Sequence, residues 1–232
     1  MHDPSTETPI RAVLLCPEAD AGRIAELRSA GAHVVDTLAT QHRALVRSRN
    51  ARLKRSEAEQ LAEASPLPPS RFAYYPWRHT LVRVLCQDDL FELRTSRNHH
   101  KITVAEQRTL RDHKLAIAGL SVGSSTALTL IQEGIGNVVH LADFDVLELT
   151  NLNRLRANLL DLGLRKTVIT ARAIAELDPY VEVRTFDQGV LEENLDAFLD
   201  GVSLLFEECD DLAMKLRLRE VARSKRIPVL ME

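Results

Sequence analysis

The chain has 232 residues, of which 45% are hydrophobic and 27% are charged, and its formal net charge is −3. This balance is that of a globular protein with enough apolar material for one large or two modest domains. The small negative charge gives no argument for nucleic acid, and no apolar run reaches the ~20 residues of a membrane helix. Cys16, Cys86 and Cys209 form no CxxC pair, and the amino terminus has no signal-like apolar segment, so we expect a reduced, cytoplasmic chain.

The beginning of the chain has the pattern of a small α/β module over residues 1–64. An apolar run at 11–16 predicts a strand, and Ile24 and Leu27 lie on one face of a predicted helix. The run HVVDTL predicts a second strand. Residues 41–64 have helical spacing, and we interpret their basic stretch QHRALVRSRNARLKR as a solvated helix face rather than a contact surface.

Residues 65–106 are expected to form a linker and docking segment. The run SPLPPS ends any preceding helix, because consecutive prolines cannot continue one. The following stretch, FAYYPWRHTLVRVL, concentrates the aromatic side chains Tyr74, Tyr75 and Trp77. We interpret these as anchoring an extended segment against the main domain, and stacking on a base or a flavin ring is the alternative.

The stretch KLAIAGLSVGSSTALTLIQEGIGNVVHLADFD has the pattern of a βαβ unit. A short strand ends at Gly119, a turn of small residues opens a helix, and a second strand ends at Asp143. Small residues let a phosphate approach the backbone, and unpaired N–H groups at a helix start bind anions. An acidic residue after the second strand can accept hydrogen bonds from ribose hydroxyls. The pattern therefore predicts a Rossmann-type nucleotide site.

The turn by itself is a weak signal for a nucleotide. The three glycine positions of the G-x-G-x-x-G pattern are occupied by Gly119, Ser121 and Ser124, with an additional Gly123. The P-loop pattern is absent. A tight strand-to-helix connection with no ligand is the structural alternative.

Several motifs follow the turn in a fixed order, namely DFDVLELTNLNR, LGLRK, LDPYVEV and EECDD. Together with the turn they resemble the ThiF, MoeB and ubiquitin-activating-enzyme family of adenylyltransferases over residues 107–232. The runs PWRHTLVRVL, LRTSRNHHKIT and PVLME are most similar to bacterial ThiF-type proteins that continue into a nitroreductase-like domain, some of them labelled molybdopterin-biosynthesis proteins. Members continue beyond PVLME, so the resemblance implies a truncated piece, and any flavin would belong to the missing part.

The resemblance implies a Rossmann-like, mostly parallel sheet with helices on both faces, preceded by the smaller α/β module. It also implies ATP-dependent activation of a carboxylate as an acyl-adenylate, with Mg²⁺ and release of pyrophosphate. The acid would be a peptide, a small metabolite or the tail of a ubiquitin-like or sulfur-carrier protein, and the chain would be a homodimer. The implied nucleotide-binding residues are Gly119, Ser121, Gly123, Asp143, Asn151, Arg154 and Lys166.

The resemblance gives the polar residues separate roles. Asp143 would bind the ribose, Asn151 and Arg154 the phosphates, and Lys166 the triphosphate, while Asp210 would bind Mg²⁺. Arg154, Lys166 and Asp210 would be the catalytic residues.

Other interpretations of the same residues stay open. The lysine and the arginine could be ordinary surface charges, and Asp210, one of four nearby acids, could cap the next helix. Cys209 is interpreted as a buried structural thiol rather than a nucleophile. At the level of function, the alternatives are an NAD-binding oxidoreductase and a degenerate ThiF-like module for binding or dimerisation without turnover.

Overall fold

The computed structural model describes residues 8–231, which divide into two compact units, residues 12–103 and residues 104–231 with residues 8–11. The first unit contains a four-stranded sheet in the order β1-β3-β4-β2. Its strands are β1 (Val13–Leu15), β2 (His33–Asp36), β3 (Ser70–Tyr75) and β4 (Thr80–Leu85). Its helices are α1 (Ala21–Ser29), α2 (Leu38–Arg49), α3 (Arg55–Ala64) and α4 (Gln87–Thr95). This unit is therefore a small α/β module.

The aromatic stretch after the prolines is part of this first sheet. Strands β3 and β4 pair antiparallel as a hairpin, whose connection ends at His79 in the left-handed region, with φ 46°. Strand β3 also pairs with β1, and β4 pairs with β2. The structure therefore differs from the expected division at residue 64 with a linker over 65–106. The two central strands of the first sheet, β3 and β4, lie within residues 65–106. The alternating apolar residues of this segment are buried in the sheet, as Phe72 and Leu81 show.

The second unit contains a five-stranded, wholly parallel sheet in the order β7-β6-β5-β8-β9. Its strands are β5 (Lys114–Ala118), β6 (Val138–Ala142), β7 (Glu182–Phe186), β8 (Leu204–Glu207) and β9 (Val229–Met231). Its helices are α5 (Val104–Arg111), α6 (Gly123–Gln132), α7 (Lys166–Leu177), α8 (Leu195–Phe198) and α9 (Leu212–Ser224). The predicted Rossmann-like fold is confirmed.

Successive residues of β5 serve opposite faces of this sheet. Leu115 and Ile117 belong to one buried cluster with residues of α6 and α7, whereas Ala116 and Ala118 belong to another with residues of α8 and α9. This alternation is the two-residue period of a strand covered on both faces. The chain reverses its direction of winding between β5 and β8, and ligands of such folds bind beyond the carboxyl ends of the strands at that point.

A histidine lies in the core beside the sheet. His140 is fully buried beside the rings of Phe186 and Phe198, and its Nδ1 lies 2.6 Å from the carbonyl oxygen of Phe198. Its Nε2 has no hydrogen-bond partner among the described residues. Burial is the main reason why the pKa of His140 is lowered, so the fold favours the neutral ring.

We expect acid to destabilise the second unit through this histidine. The pKa of His140 is lowered on folding. The contribution of the neutral ring to the free energy of unfolding is therefore complete above the unfolded pKa, about 6.5, and is lost as the pH falls below it. Between pH 7.5 and 5.5 the loss amounts to at most about 1.4 kcal/mol. His140→Asn, whose amide can keep the bond to Phe198, should remove this part of the pH dependence. Urea unfolding of both proteins, followed by far-UV circular dichroism at the two pH values, measures the difference, and parallel pH profiles would contradict it.

The helices of both units are short. Among residues 8–231, no helix is long and apolar enough to cross a membrane.

Candidate functional site

The turn between β5 and α6 is packed against the ends of two neighbouring strands. Gly119 has φ +89°, and its N–H donates to the carbonyl oxygen of Ala142, at the end of β6, over 2.9 Å. A Cβ at this position would lie 2.4 Å from the carbonyl oxygen of Glu208, which follows β8. Only glycine fits here, for both conformation and space.

Helix α6 begins directly at the turn and packs closely on the sheet. A Cβ on Gly123 would lie 2.7 Å from Cγ2 of Ile117 in β5. Val122 precedes the helix and provides no side-chain cap for its first turn. The positive end of the α6 dipole therefore lies at the carboxyl ends of the strands (the carboxyl edge of the sheet). This is the switch point, where the winding reverses between β5 and β8.

Asp143 joins the turn to the segment that follows β6. Its Oδ2 accepts a hydrogen bond from the N–H of Leu120 over 2.7 Å, and its Oδ1 accepts one from the N–H of Asp145 over 2.8 Å. The side chain is buried. Asp143 thus shapes the turn, and since each carboxylate oxygen has a second lone pair, it can still accept from a ligand hydroxyl. Its predicted ribose contact stays a prediction.

Lys166 is the first residue of α7, and only 3% of its side chain is exposed. Its Nζ donates to Oγ of Ser121 over 3.0 Å and to Oδ2 of Asp145 over 2.7 Å. The interpretation of Lys166 as an ordinary surface charge is therefore wrong. The fold brings it against the small-residue turn, 45 positions earlier in the chain.

The asparagine-arginine pair has a different environment. Asn151 is buried, and its Oδ1 accepts from the N–H of Glu148 over 3.0 Å, so it stabilises a local turn. Arg154 is exposed, and its Nη1 donates to the carbonyl oxygen of Thr150 and to Oδ1 of Asn153. The structure gives neither residue a bond to the turn or to Lys166, and their predicted phosphate contacts stay predictions.

The acids after β8 divide into distinct roles. Oδ1 of Asp211 accepts from the N–H groups of Ala213 and Met214 and so caps α9. Asp210 is exposed and makes no hydrogen bond or ion pair with the described part of the chain. The capping alternative therefore belongs to Asp211, and the carboxylate of Asp210 stays available for a ligand.

Cys209 has the environment of a structural thiol. Glu207 is fully buried at the end of β8, and its Oε1 accepts from both the N–H and the Sγ–H of Cys209 over 3.0 Å. Burial and this bond to the carboxylate raise the pKa of Cys209 to about 12. The thiol stays protonated at neutral pH and is unsuited to nucleophilic attack.

Three acidic residues of this edge, Asp145, Glu207 and Glu208, have roles that the sequence did not show, and Oε1 of Glu208 accepts from Oγ1 of Thr126 in α6 over 3.0 Å. Asp145 is the second acid of the DFD run, and only its contact with Lys166 singles it out. Glu207 lies in a run of four acids, where no pattern says which one is buried. Over residues 8–231 there is no group of three metal-ligating side chains, so a Mg²⁺ here would need phosphate or water ligands as well.

The comparison with protein families gives a direct result, since the ThiF family matches residues 95–231. Uncharacterized protein MT1398 of Mycobacterium tuberculosis is 44% identical over 184 residues, 75% of this chain and 26% of that protein. Ubiquitin-like modifier-activating enzyme 5 of Drosophila sechellia is 38% identical over 102 residues, 43% of this chain and 25% of that protein. This chain thus spans about a quarter of the length of either relative.

A solved structure extends the comparison to a bound nucleotide. E. coli tRNA N6-threonylcarbamoyladenosine dehydratase, TcdA, in complex with ATP, matches with a TM-score of 0.59 and 25% identity. The match covers 64% of this chain and 61% of that chain. The family match covers more than half of the present chain and includes every residue of the candidate site. The chain belongs to the ThiF family.

Proposed function

We propose that the chain forms the nucleotide-binding part of an ATP-dependent adenylyltransferase that converts a carboxylate into an acyl-adenylate and releases pyrophosphate. The observation that carries the proposal is the buried ammonium group of Lys166 against the turn at the switch point. A cation and an uncapped helix start together offer positive charge to phosphate groups. The family membership and the ATP complex of E. coli TcdA support the same nucleotide.

The chemistry needs alignment and charge neutralisation more than it needs a nucleophilic side chain. A carboxylate oxygen of the substrate attacks the α-phosphorus, and the bond to the departing pyrophosphate breaks. Lys166 balances negative charge on the triphosphate, Asp143 accepts from the ribose, and Gly119 and Gly123 let the phosphates approach the backbone. Asn151 and the exposed Arg154, in the segment after β6, complete the phosphate contacts in this proposal.

Asp210, which has no partner in the described part of the chain, is suited to bind a magnesium ion. The exposed carboxylate of Asp210 would hold Mg²⁺ together with phosphate oxygens and water, which is the usual arrangement for this ion in phosphate sites. When bound, Mg²⁺ neutralises charge on the phosphates. Asp210 itself contributes an oxygen ligand at the carboxyl edge of the sheet.

An NAD-binding oxidoreductase is less well supported by the same geometry. Asp143 would suit the ribose of either nucleotide, but a buried lysine against the turn suits a triphosphate better than a dinucleotide. A degenerate module without turnover is the remaining alternative. We propose the carboxyl-terminal tail of a ubiquitin-like or sulfur-carrier protein as the acid, and the similarity to ubiquitin-like modifier-activating enzyme 5 supports this class.

The segment after β6 supports a homodimer as part of the proposal. It exposes several large apolar side chains at 40% or more, and a segment rich in such side chains favours contact with another chain. They are Phe144, Val146, Leu149, Leu159, Leu160 and Leu162. Sedimentation equilibrium of the chain tests this part, and a monomer at all concentrations would overturn it.

The experiment for the nucleotide is calorimetric titration of the chain with MgATP and, separately, with NADH. Saturable binding of MgATP without binding of NADH supports the proposal, and binding of NADH alone overturns it in favour of an oxidoreductase. Exchange of labelled pyrophosphate into ATP in the presence of the acid separates the enzyme from the degenerate module. Binding without exchange favours the module.

Asp210 and Asp211 provide a matched pair for the metal site. Asp210→Asn should raise the Mg²⁺ concentration needed for half-maximal ATP binding by about tenfold, since it removes a charged ligand. Asp211→Asn makes the same change of charge one residue away, and asparagine caps a helix as well as aspartate does. The second variant should therefore keep the original dependence on Mg²⁺. Equal effects of the two substitutions would remove Asp210 from the metal site.

A further inference from the structure

Asp145 and Lys166 are joined by a side-chain hydrogen bond and by a backbone hydrogen bond. The carboxylate of Asp145 accepts from Nζ of Lys166, and the carbonyl oxygen of the same aspartate accepts from the backbone N–H of the lysine over 3.0 Å. The next residue, Val146, forms an antiparallel bridge with Arg165. The start of α7 is therefore fixed to the segment after β6 by both backbone and side chain.

The cost of burying an ammonium group explains why such a partner is needed. Lys166 is 3% exposed, and a buried charge is stable only when it is paired and hydrogen-bonded. An ammonium group has three N–H donors, and the described residues supply two acceptors, Ser121 and Asp145. One donor is left for a ligand.

Ser121 gives the turn a hydrogen-bonding group that glycine lacks. It occupies the second glycine position of the dinucleotide pattern, where the sequence suggested a weakened site. In the structure its hydroxyl oxygen accepts from Nζ of Lys166, so its own O–H can still donate to an acceptor. The serine thus links the turn to the lysine.

We infer that Asp145 and Ser121 are positioning residues that hold the Lys166 ammonium for the outer phosphates of ATP. This inference rests on the proposed function. Asp145 acts through Lys166, whereas Ser121 acts through Lys166 and by offering its own hydroxyl. The charge of Asp145 also has an opposite effect on ATP affinity. Its half-exposed carboxylate repels phosphate, so the loss of this repulsion alone would strengthen ATP binding.

A double-mutant cycle separates these effects. We expect Asp145→Asn to weaken MgATP binding about tenfold, as for a lost charge-assisted hydrogen bond, and to change AMP binding less than about twofold. In the Lys166→Met background the same substitution should cause no further loss of ATP affinity, because the group it positions is gone and only the repulsion of phosphate is relieved. Tighter ATP binding by Asp145→Asn when Lys166 is present, or equal losses in both backgrounds, would overturn the inference.

A second variant distinguishes a positioning role of Asp145 from a loss of folding. Asp145→Glu keeps the carboxylate on a half-exposed side chain and should regain part of the lost affinity. AMP binding reports an intact site in each variant. If AMP binding and ATP binding fall together in Asp145→Asn and Asp145→Glu fails to restore either, the role of Asp145 is structural and the inference fails.

Ser121→Gly tests the turn, because it installs the residue of the dinucleotide pattern. It should weaken MgATP binding about threefold to tenfold, and the loss should be smaller in the Lys166→Met background, where only the contact of the serine's own hydroxyl is removed. Unchanged affinity in Ser121→Gly would remove the serine from the inference.

The outcomes also distinguish this inference from the proposed function. If the unmodified chain binds no MgATP, both fail. If Lys166→Met weakens MgATP binding while Asp145→Asn and Ser121→Gly do not, the proposed function stands and only the positioning roles are overturned.

Discussion

Lys166→Met is expected to weaken MgATP binding about 100-fold while AMP binding changes little. The substitution removes a charge that is 3% exposed and held against the turn, where the triphosphate would bind. Loss of one preorganised charged contact in a site shielded from water costs about two orders of magnitude. Methionine has a similar length and no charge, so it fills the buried space that the lysine side chain occupies. Calorimetry with ATP and with AMP measures the two affinities.

The control for this variant is a lysine at the amino ends of the strands of the same sheet. Lys114 begins β5, at the amino end of the strand, and lies 4.0 Å from the exposed carboxylate of Asp200. Lys114→Met makes the same change of net charge away from the carboxyl ends of the strands. It should leave ATP affinity within about twofold. Equal affinities of Lys166→Met and the unmodified chain would exclude the lysine from the site and favour the degenerate module.

The sequence predicted the second unit well because its signals are local. A strand, a small-residue turn and an amphipathic helix follow each other within about thirty residues, and Gly119 and Asp143 mark the two strand ends. The first unit was predicted poorly because its sheet joins strands far apart in the chain. Strand β1 pairs with β3, and neither segment carries a signal that identifies its distant partner strand.

The environment of each charged residue was harder to predict than its position in a motif. Lys166 and Arg154 are both basic residues after β6, yet the fold buries one and leaves the other in solvent. A single sequence does not show which lysine meets a carboxylate, because the partner Asp145 lies 21 positions away. The same holds for Asp210 and Asp211, since only the hydrogen bonds of α9 identify the cap.

Gly119→Ala should destabilise the second unit by more than about 3 kcal/mol, because two costs add at one position. A residue with a Cβ is strained at φ +89° by about 1–2 kcal/mol. The new Cβ would also lie 2.4 Å from the carbonyl oxygen of Glu208. This oxygen belongs to backbone that is held in place, since the N–H of Glu208 donates to Ala118 over 2.8 Å.

A second glycine separates the two costs. Gly163 has φ +82° with nothing within 4 Å of an added Cβ, so Gly163→Ala should cost only the backbone strain of about 1–2 kcal/mol. Unfolding by urea, followed by far-UV circular dichroism, gives both values, while the fluorescence of the single tryptophan, Trp77, reports on the first unit. Equal losses in the two variants would mean that the end of β8 moves freely away from the turn. The approach of Glu208 would then not be what requires glycine at position 119, and the site would owe its shape to backbone conformation alone.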